Sequence, residues 1–134
     1  MGGVIFFGID ASIHEGDAYN DGYVSTAFFQ AFGDLLTESL SEACAPQMEK
    51  IKEGEVMMLY KFTSLSSSDY NLVIQTIRHY IAGLSNPSER QQKGIRVWKE
   101  MAEPFIRKDK RYDFAFHGEP GRLAEREPQR FNRR

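Results

Sequence analysis

The densest run of residues able to do chemistry lies between Asp10 and Tyr23, where Asp10, Ser12, His14, Glu15, Asp17, Tyr19, Asn20 and Asp21 fall close together. Carboxylates beside an imidazole could hold a hard or borderline cation, or move protons in acid–base catalysis. The spacing supports neither well. Asp17-Ala18-Tyr19-Asn20-Asp21-Gly22 begins like a calcium loop, but Tyr19 stands where an oxygen ligand is needed and Phe28 where the bidentate glutamate belongs, which excludes an EF-hand. His14, His79 and His117 lack metal-ligand spacing and Cys44 is the single cysteine, so neither a metal site nor a cofactor is expected. Ser12, Ser25 and the Ser64–Ser68 cluster have no glycine frame around a nucleophile. Gly2-Gly3 precedes an apolar run instead of following it and lacks the lysine of a phosphate loop.

What the run does offer is charge and aromatic surface. Asp10, Glu15, Asp17 and Asp21 face no lysine or arginine in the same stretch, and Tyr19 and Tyr23 are interleaved with them. Aromatic anchors within a polar rim are what protein interfaces use. The expectation is therefore a small protein-binding module acting by complementarity and not by turnover. An inhibitor or immunity-type protein that neutralises a basic partner through Asp10, Glu15, Asp17, Tyr19, Asp21 and Tyr23 is its concrete form. The plainest competing reading is a solvated connector in which Asp21 helps to start the next helix. A reading of a different class is a small hydrolase or transferase with Asp10, His14 and Asp17 at a strand end.

A second concentration is basic: Arg90, Lys93, Arg96 and Lys99, then Arg107–Arg111, then Arg122, Arg126, Arg130, Arg133 and Arg134. Acids are interspersed throughout, the net charge is −2, and no nucleic-acid module is recognisable, so nucleic acid is not the expected partner. A phage or assembly component with a basic carboxy-terminal arm is the binding alternative. The chain is electrically polarised. Residues 1–59 hold ten acids against two bases, a net −8, and residues 60–134 hold fifteen bases against nine acids, a net +6. Such asymmetry steers a charged partner or draws the two halves of one fold together.

Positioning these groups falls to one domain, for which 134 residues are enough to bury a core without a staple. Cys44 allows no internal disulfide and reads as a small buried hydrophobe in a reducing setting. Val4–Ile9 is too short and too weakly flanked for a signal peptide, and no run reaches the roughly 20 apolar residues that cross a bilayer, so a cytoplasmic location without membrane contact is expected. Val4–Ile9 reads as a buried strand inside the sheet. Tyr23–Cys44 carries Phe28, Ala31, Phe32, Leu35, Leu36 and Leu40 at helical spacing and predicts the main amphipathic helix, followed by a short piece over Pro46–Glu53. Val56–Phe62 reads as a central strand. Tyr70, Val73, Ile74, Ile77, Ile81 and Leu84 mark a third helix, and Asn86-Pro87-Ser88-Glu89 opens a fourth that runs to about Glu103, where Pro104 interrupts it. Tyr112–Phe116 alternates as a third strand should. The predicted class is α+β, or small α/β, in the order β-αα-β-αα-β. Residues 1–117 form the domain, and residues 118–134, with only Leu123 and Phe131 as large apolar groups, form a polar arm or tail.

Overall fold

Strand β1 (Gly2–Phe6) occupies the middle of a three-stranded sheet, with β2 (Asp21–Ser25) antiparallel on one side and β3 (Leu59–Lys61) parallel on the other. The computed structural model describes residues 2–7 and 21–119, with the main chain alone at 21 and 22. The central strand is where the apolar run predicted it, starting two residues earlier. Along it Gly3 and Ile5 are buried while Gly2, Val4 and Phe6 are half-buried, the period-2 alternation of a sheet covered by helices on one face. Gly3 has no alternative, because a Cβ there would lie 2.2 Å from the Phe29 ring.

Phe29 belongs to α1 (Thr26–Leu40), which lies across the inner face of the sheet with Phe29, Phe32, Leu35, Leu36 and Leu40 buried. Ser25 caps it by accepting from the Phe28 amide at 3.4 Å. The helix is shorter than predicted at both ends. Tyr23 and Val24 are drawn into β2 by pairing with Val4 and Gly3, and the chain leaves the helix at Ser41 before α2 (Ala45–Ile51), with Cys44 buried between them. The contact between α1 and the sheet side is aromatic: Phe29 stacks on Tyr60 with ring centroids 4.2 Å apart, and Phe32 meets the Phe7 ring edge-on at 6.1 Å.

Helix α3 (Ser67–Gly83) buries Tyr70, Val73, Ile74 and Ile77, as its stripe predicted, with Ser66 as its cap. Helix α4 (Glu89–Val97) begins two residues later than expected. Ser88, not Asn86, is the cap, and it forms a reciprocal capping box with Gln91. Pro104 does not end the helical path. A π turn over Trp98–Ala102, in which the Glu103 amide reaches back to the Trp98 carbonyl, leads directly into α5 (Glu103–Ile106). The wider turn leaves room for a proline ring that a regular turn would drive against the preceding carbonyl.

The class is α+β, but the order of elements is ββαα, then β, then the remaining helices, and two predicted strands are corrected. Val56 and Met57 belong to a 3-10 turn (Lys52–Met57) and are 89% and 77% exposed. Met58 takes a left-handed φ of 59° and donates to the Glu55 carbonyl, so the ladder starts only at Leu59 and lies at the sheet's edge. Tyr112–Phe116 is not a strand but leads into a turn over 114–118. The Asp113 carboxylate accepts from the amides of Ala115 and Phe116, and Gly118, at φ 69°, closes the turn by donating to Ala115 while Glu119 donates to Phe114. That side chain offers the backbone a local partner in place of a ladder. Gly118 and Glu119, assigned to the arm, therefore pack with the body, and residues 120–134 lie outside the described residues.

Candidate functional site

Of the residues predicted to bind a partner, Asp10, Glu15, Asp17 and Tyr19 lie outside the described residues, as does His14. Asp21 opens β2 opposite Phe6, and Tyr23 sits at the middle of β2 opposite Val4, with its side chain 70% exposed. Tyr23 is thus held by a sheet rather than by a helix start. The next residue, Val24, points inward and is buried, and this fixes Tyr23 to the outer face.

The hydrogen-bond register decides what the β2 main chain presents. Val4 donates to Met58 and Phe6 accepts from Phe62, so both turn their backbone groups toward β3. Backbone groups alternate in direction along a strand, so Gly3 and Ile5 turn toward β2, where they meet Val24 and Gly22. Asp21, Tyr23 and Ser25 consequently turn their amides away from the sheet. Among the described residues no strand pairs with that side of β2. Beside it runs a groove of about 320 Å³ between β2 and α4, floored by Phe28, Val97 and Met101. Arg96 rims the groove, bonded to Glu100 at 3.0 Å and lying over the Phe28 ring.

A second polar concentration, not singled out by the sequence patterns, gathers the residues that follow α5 against α3. Asn71 is buried with both ends of its amide engaged. It donates to the Ser67 and Arg111 carbonyls and accepts from the Asp113 amide at 2.9 Å and from His117 Nε2 at 3.1 Å. Because a carboxamide oxygen only accepts, His117 carries its proton on Nε2. Its ring stacks on Tyr112 at 4.5 Å, and burial, with the Arg78 cation nearby, pushes its pKa below the usual imidazole value. The Tyr112 hydroxyl accepts from Arg78 at 2.8 Å and donates to Glu119, while Arg78 forms a two-pronged pair with Glu103 at 2.8 and 2.9 Å. Burial, and then the bond to Glu119, hold the phenol above its ordinary range; the same bond, reinforced by Arg107 and Arg78, holds the Glu119 carboxyl below its own.

Next to this cluster Arg111 and Asp109 form an ion pair with both side chains at most 3% exposed. The guanidinium also donates to the carbonyls of Phe62 and Leu65 and lies 3.9 Å from the centre of the Tyr70 ring. An open cleft of about 730 Å³ passes Ser67, Asn71 and Asp113. Asn71, Arg111, Tyr112 and Asp113 in its walls are hydrogen-bonded, and their bonds tie the 107–119 segment to the body. The sequence signal was the pairing of Asp113 with Gly118, the start and stop of a single turn.

Among the described residues no group of three or more His, Cys, Asp or Glu side chains could hold a metal ion, and no helix is long and apolar enough to cross a membrane. Asp34 pairs with Arg90, and Glu38 accepts from Tyr80 and Gln91, so part of the charge polarity draws the two halves together across α1, α3 and α4. No protein-family model, curated protein or solved structure matches this chain.

Proposed function

We propose that the chain is a small protein-binding module that engages a basic partner through the stretch from Asp10 to Tyr23, in the manner of an inhibitor or immunity protein. The supporting observation is Tyr23, a large aromatic side chain 70% exposed on a rigid strand beside an apolar groove. Aromatic groups held in this way lose little conformational freedom on docking and make effective anchors. The acids Asp10, Glu15, Asp17 and Asp21 lead into that strand with no lysine or arginine among them. Their field steers encounter with a basic surface, while Tyr19 and Tyr23, once desolvated, prolong the complex.

A photo-crosslinking side chain placed at Tyr23 in the native host tests this reading, with the same group at exposed His79 as control. The expected result is an adduct with a basic protein at position 23 only, lost when Asp17 and Asp21 are both changed to asparagine. With the partner in hand, the double neutralisation slows association and flattens its salt dependence, and Tyr23→Ala speeds dissociation. Equal adducts at both positions, or none at position 23, would refute the proposal.

A further inference from the structure

We infer that His117 is an acid-released latch: its neutral ring, held between the Asn71 carboxamide and the Tyr112 ring, keeps the 115–119 segment on α3, and gaining a proton frees the ring and lets the segment swing out while the body stays folded. It does not depend on what Tyr23 binds.

The attachment is narrow. Ala115, Phe116 and Gly118 are exposed, and the segment's backbone bonds are local: the Ala115 and Phe116 amides donate to the Asp113 carboxylate, Gly118 donates to Ala115 and Glu119 to Phe114. Among the described residues, two side chains carry the hydrogen bonds from 115–119 to residues before Asp113. One is His117, bonded to Asn71, and the other is Glu119, bonded to Tyr112 and Arg107. A unit whose bonds are internal and whose tethers are few opens at less cost than the core.

The site also suits the neutral ring. Asn71 spends its amide hydrogens on the Ser67 and Arg111 carbonyls, so its oxygen alone faces Nε2, and that oxygen is shared with the Asp113 amide. A second proton must go to Nδ1, for which the described residues supply no acceptor. The charges that face the ring are Arg78 from α3, Glu103 from α5, and Asp113 and Glu119 from its own segment. Glu103 is bonded to Arg78 and Trp98, Glu119 to Tyr112 and Arg107, and Asp113 to the amides after it. Burial and the Arg78 cation oppose an imidazolium more than the three carboxylates favour it, so the latched ring binds a proton less tightly than a free one. Falling pH therefore populates the state with the ring in water. Glu119, whose carboxyl Tyr112 and then Arg107 hold below the usual range, keeps its charge through this interval and remains as the pivot. Opening uncovers one face of Tyr112 and the Asn71 oxygen, along the cleft that passes Ser67 and Asp113.

The test follows the His117 ring protons of the full chain by NMR from about pH 7.5 to 4.5, the range in which an imidazole titrates. While the ring is latched, the Tyr112 ring stacked on it at 4.5 Å displaces these resonances upfield. The expected result is a one-proton transition with its midpoint below 6.5 that carries them to the positions of exposed His79, while the fluorescence of buried Trp98 keeps its folded value. Resonances that take up the proton yet stay displaced would show a ring charged in place and overturn the latch. So would a Trp98 change with the same midpoint, or no His117 transition before the body unfolds. Glu119→Gln separates the two pictures by sign. It weakens the second tether, so a latch opens more readily and its midpoint rises toward 6.5, by about one pH unit for a tenfold easier opening. For a ring fixed in place, losing a neighbouring carboxylate lowers the midpoint instead. A midpoint unchanged or lowered would refute the proposal. His117→Gln keeps a donor for Asn71 and cannot titrate, so the Gly118 amide resonance, expected to move with the wild-type transition, should stay fixed over the same range; movement at the wild-type midpoint would assign the transition to another group.

Discussion

Replacing Arg111 by methionine should unfold much of the architecture around the candidate cleft, because one guanidinium there ties three segments together. It pairs with Asp109 through two nitrogens at 2.8 and 2.9 Å, donates to the carbonyls of Phe62 and Leu65 at 2.7 and 2.9 Å, and covers the Tyr70 ring. Methionine fills much of the volume and supplies none of the donors. Removing one partner of a buried pair costs about 3–5 kcal/mol, most of it from leaving the other charge in a poor environment. The two carbonyls that lose their donor add to this, about 1–3 kcal/mol each where water cannot replace it, though such losses are not additive. A loss of about 4 kcal/mol is a large part of the ~5–15 kcal/mol that holds a domain together. Urea unfolding followed by the fluorescence of Trp98, the sole tryptophan and 1% exposed, measures it directly. Arg111→Lys should fall between, since an ammonium keeps the charge and cannot reproduce the fork. An Arg111→Met variant within about 1 kcal/mol of wild type would refute the claim that this residue pins the loop after β3 to the segment after α5.

Three further outcomes follow from the same packing. Gly94→Ala should lower stability by about 1–3 kcal/mol in thermal unfolding, although alanine is the better helix former, because its Cβ would meet the Ala31 carbonyl oxygen at 2.7 Å and push α4 off α1. Phe32→Ala should cost about 3–5 kcal/mol, since Phe32 is fully buried among Phe7, Tyr60 and Phe62; an unchanged denaturant midpoint would remove it from the core. His117 has a folded-state pKa below its ordinary 6.5, so the unfolded chain binds the proton more readily. Its contribution is full above that value and is lost as pH falls through the lower folded one. Stability should decline on acidification just below pH 6.5, and His117→Gln should flatten that part of the profile.

Local patterns carried the helices well, for a physical reason. The stripe from Ala31 to Leu40 and the one from Tyr70 to Ile77 are buried as their spacing predicts, although the core takes Phe29 where Phe28, only partly buried, was expected. The strands were harder. Val56–Phe62 is an apolar run, yet the left-handed Met58 and the bond from the Tyr60 hydroxyl to Glu55 at 2.7 Å fold its first half into a turn and leave Val56 and Met57 in solvent. In Tyr112–Phe116 the alternation was real, but Asp113 and Gly118 supplied start and stop signals for a turn at closer range than any strand partner. In both places short-range bonding to the backbone outweighs the side-chain pattern.

The candidate site was legible in its residue types and not in its geometry. Tyr23 and the acids before it stand out in the sequence by type alone, whereas Asp21–Ser25 becomes a strand only through its pairing with β1, and that pairing depends on residues far from it in sequence. The consequence is chemical as well as topological. A loop offers side chains, but a strand at a sheet's edge also turns main-chain donors and acceptors outward. Asp34 and Glu38 on α1 are engaged by Arg90, Tyr80 and Gln91 from the basic half, whereas no lysine or arginine precedes Lys50 in the chain to offset Asp10, Glu15, Asp17 and Asp21 locally.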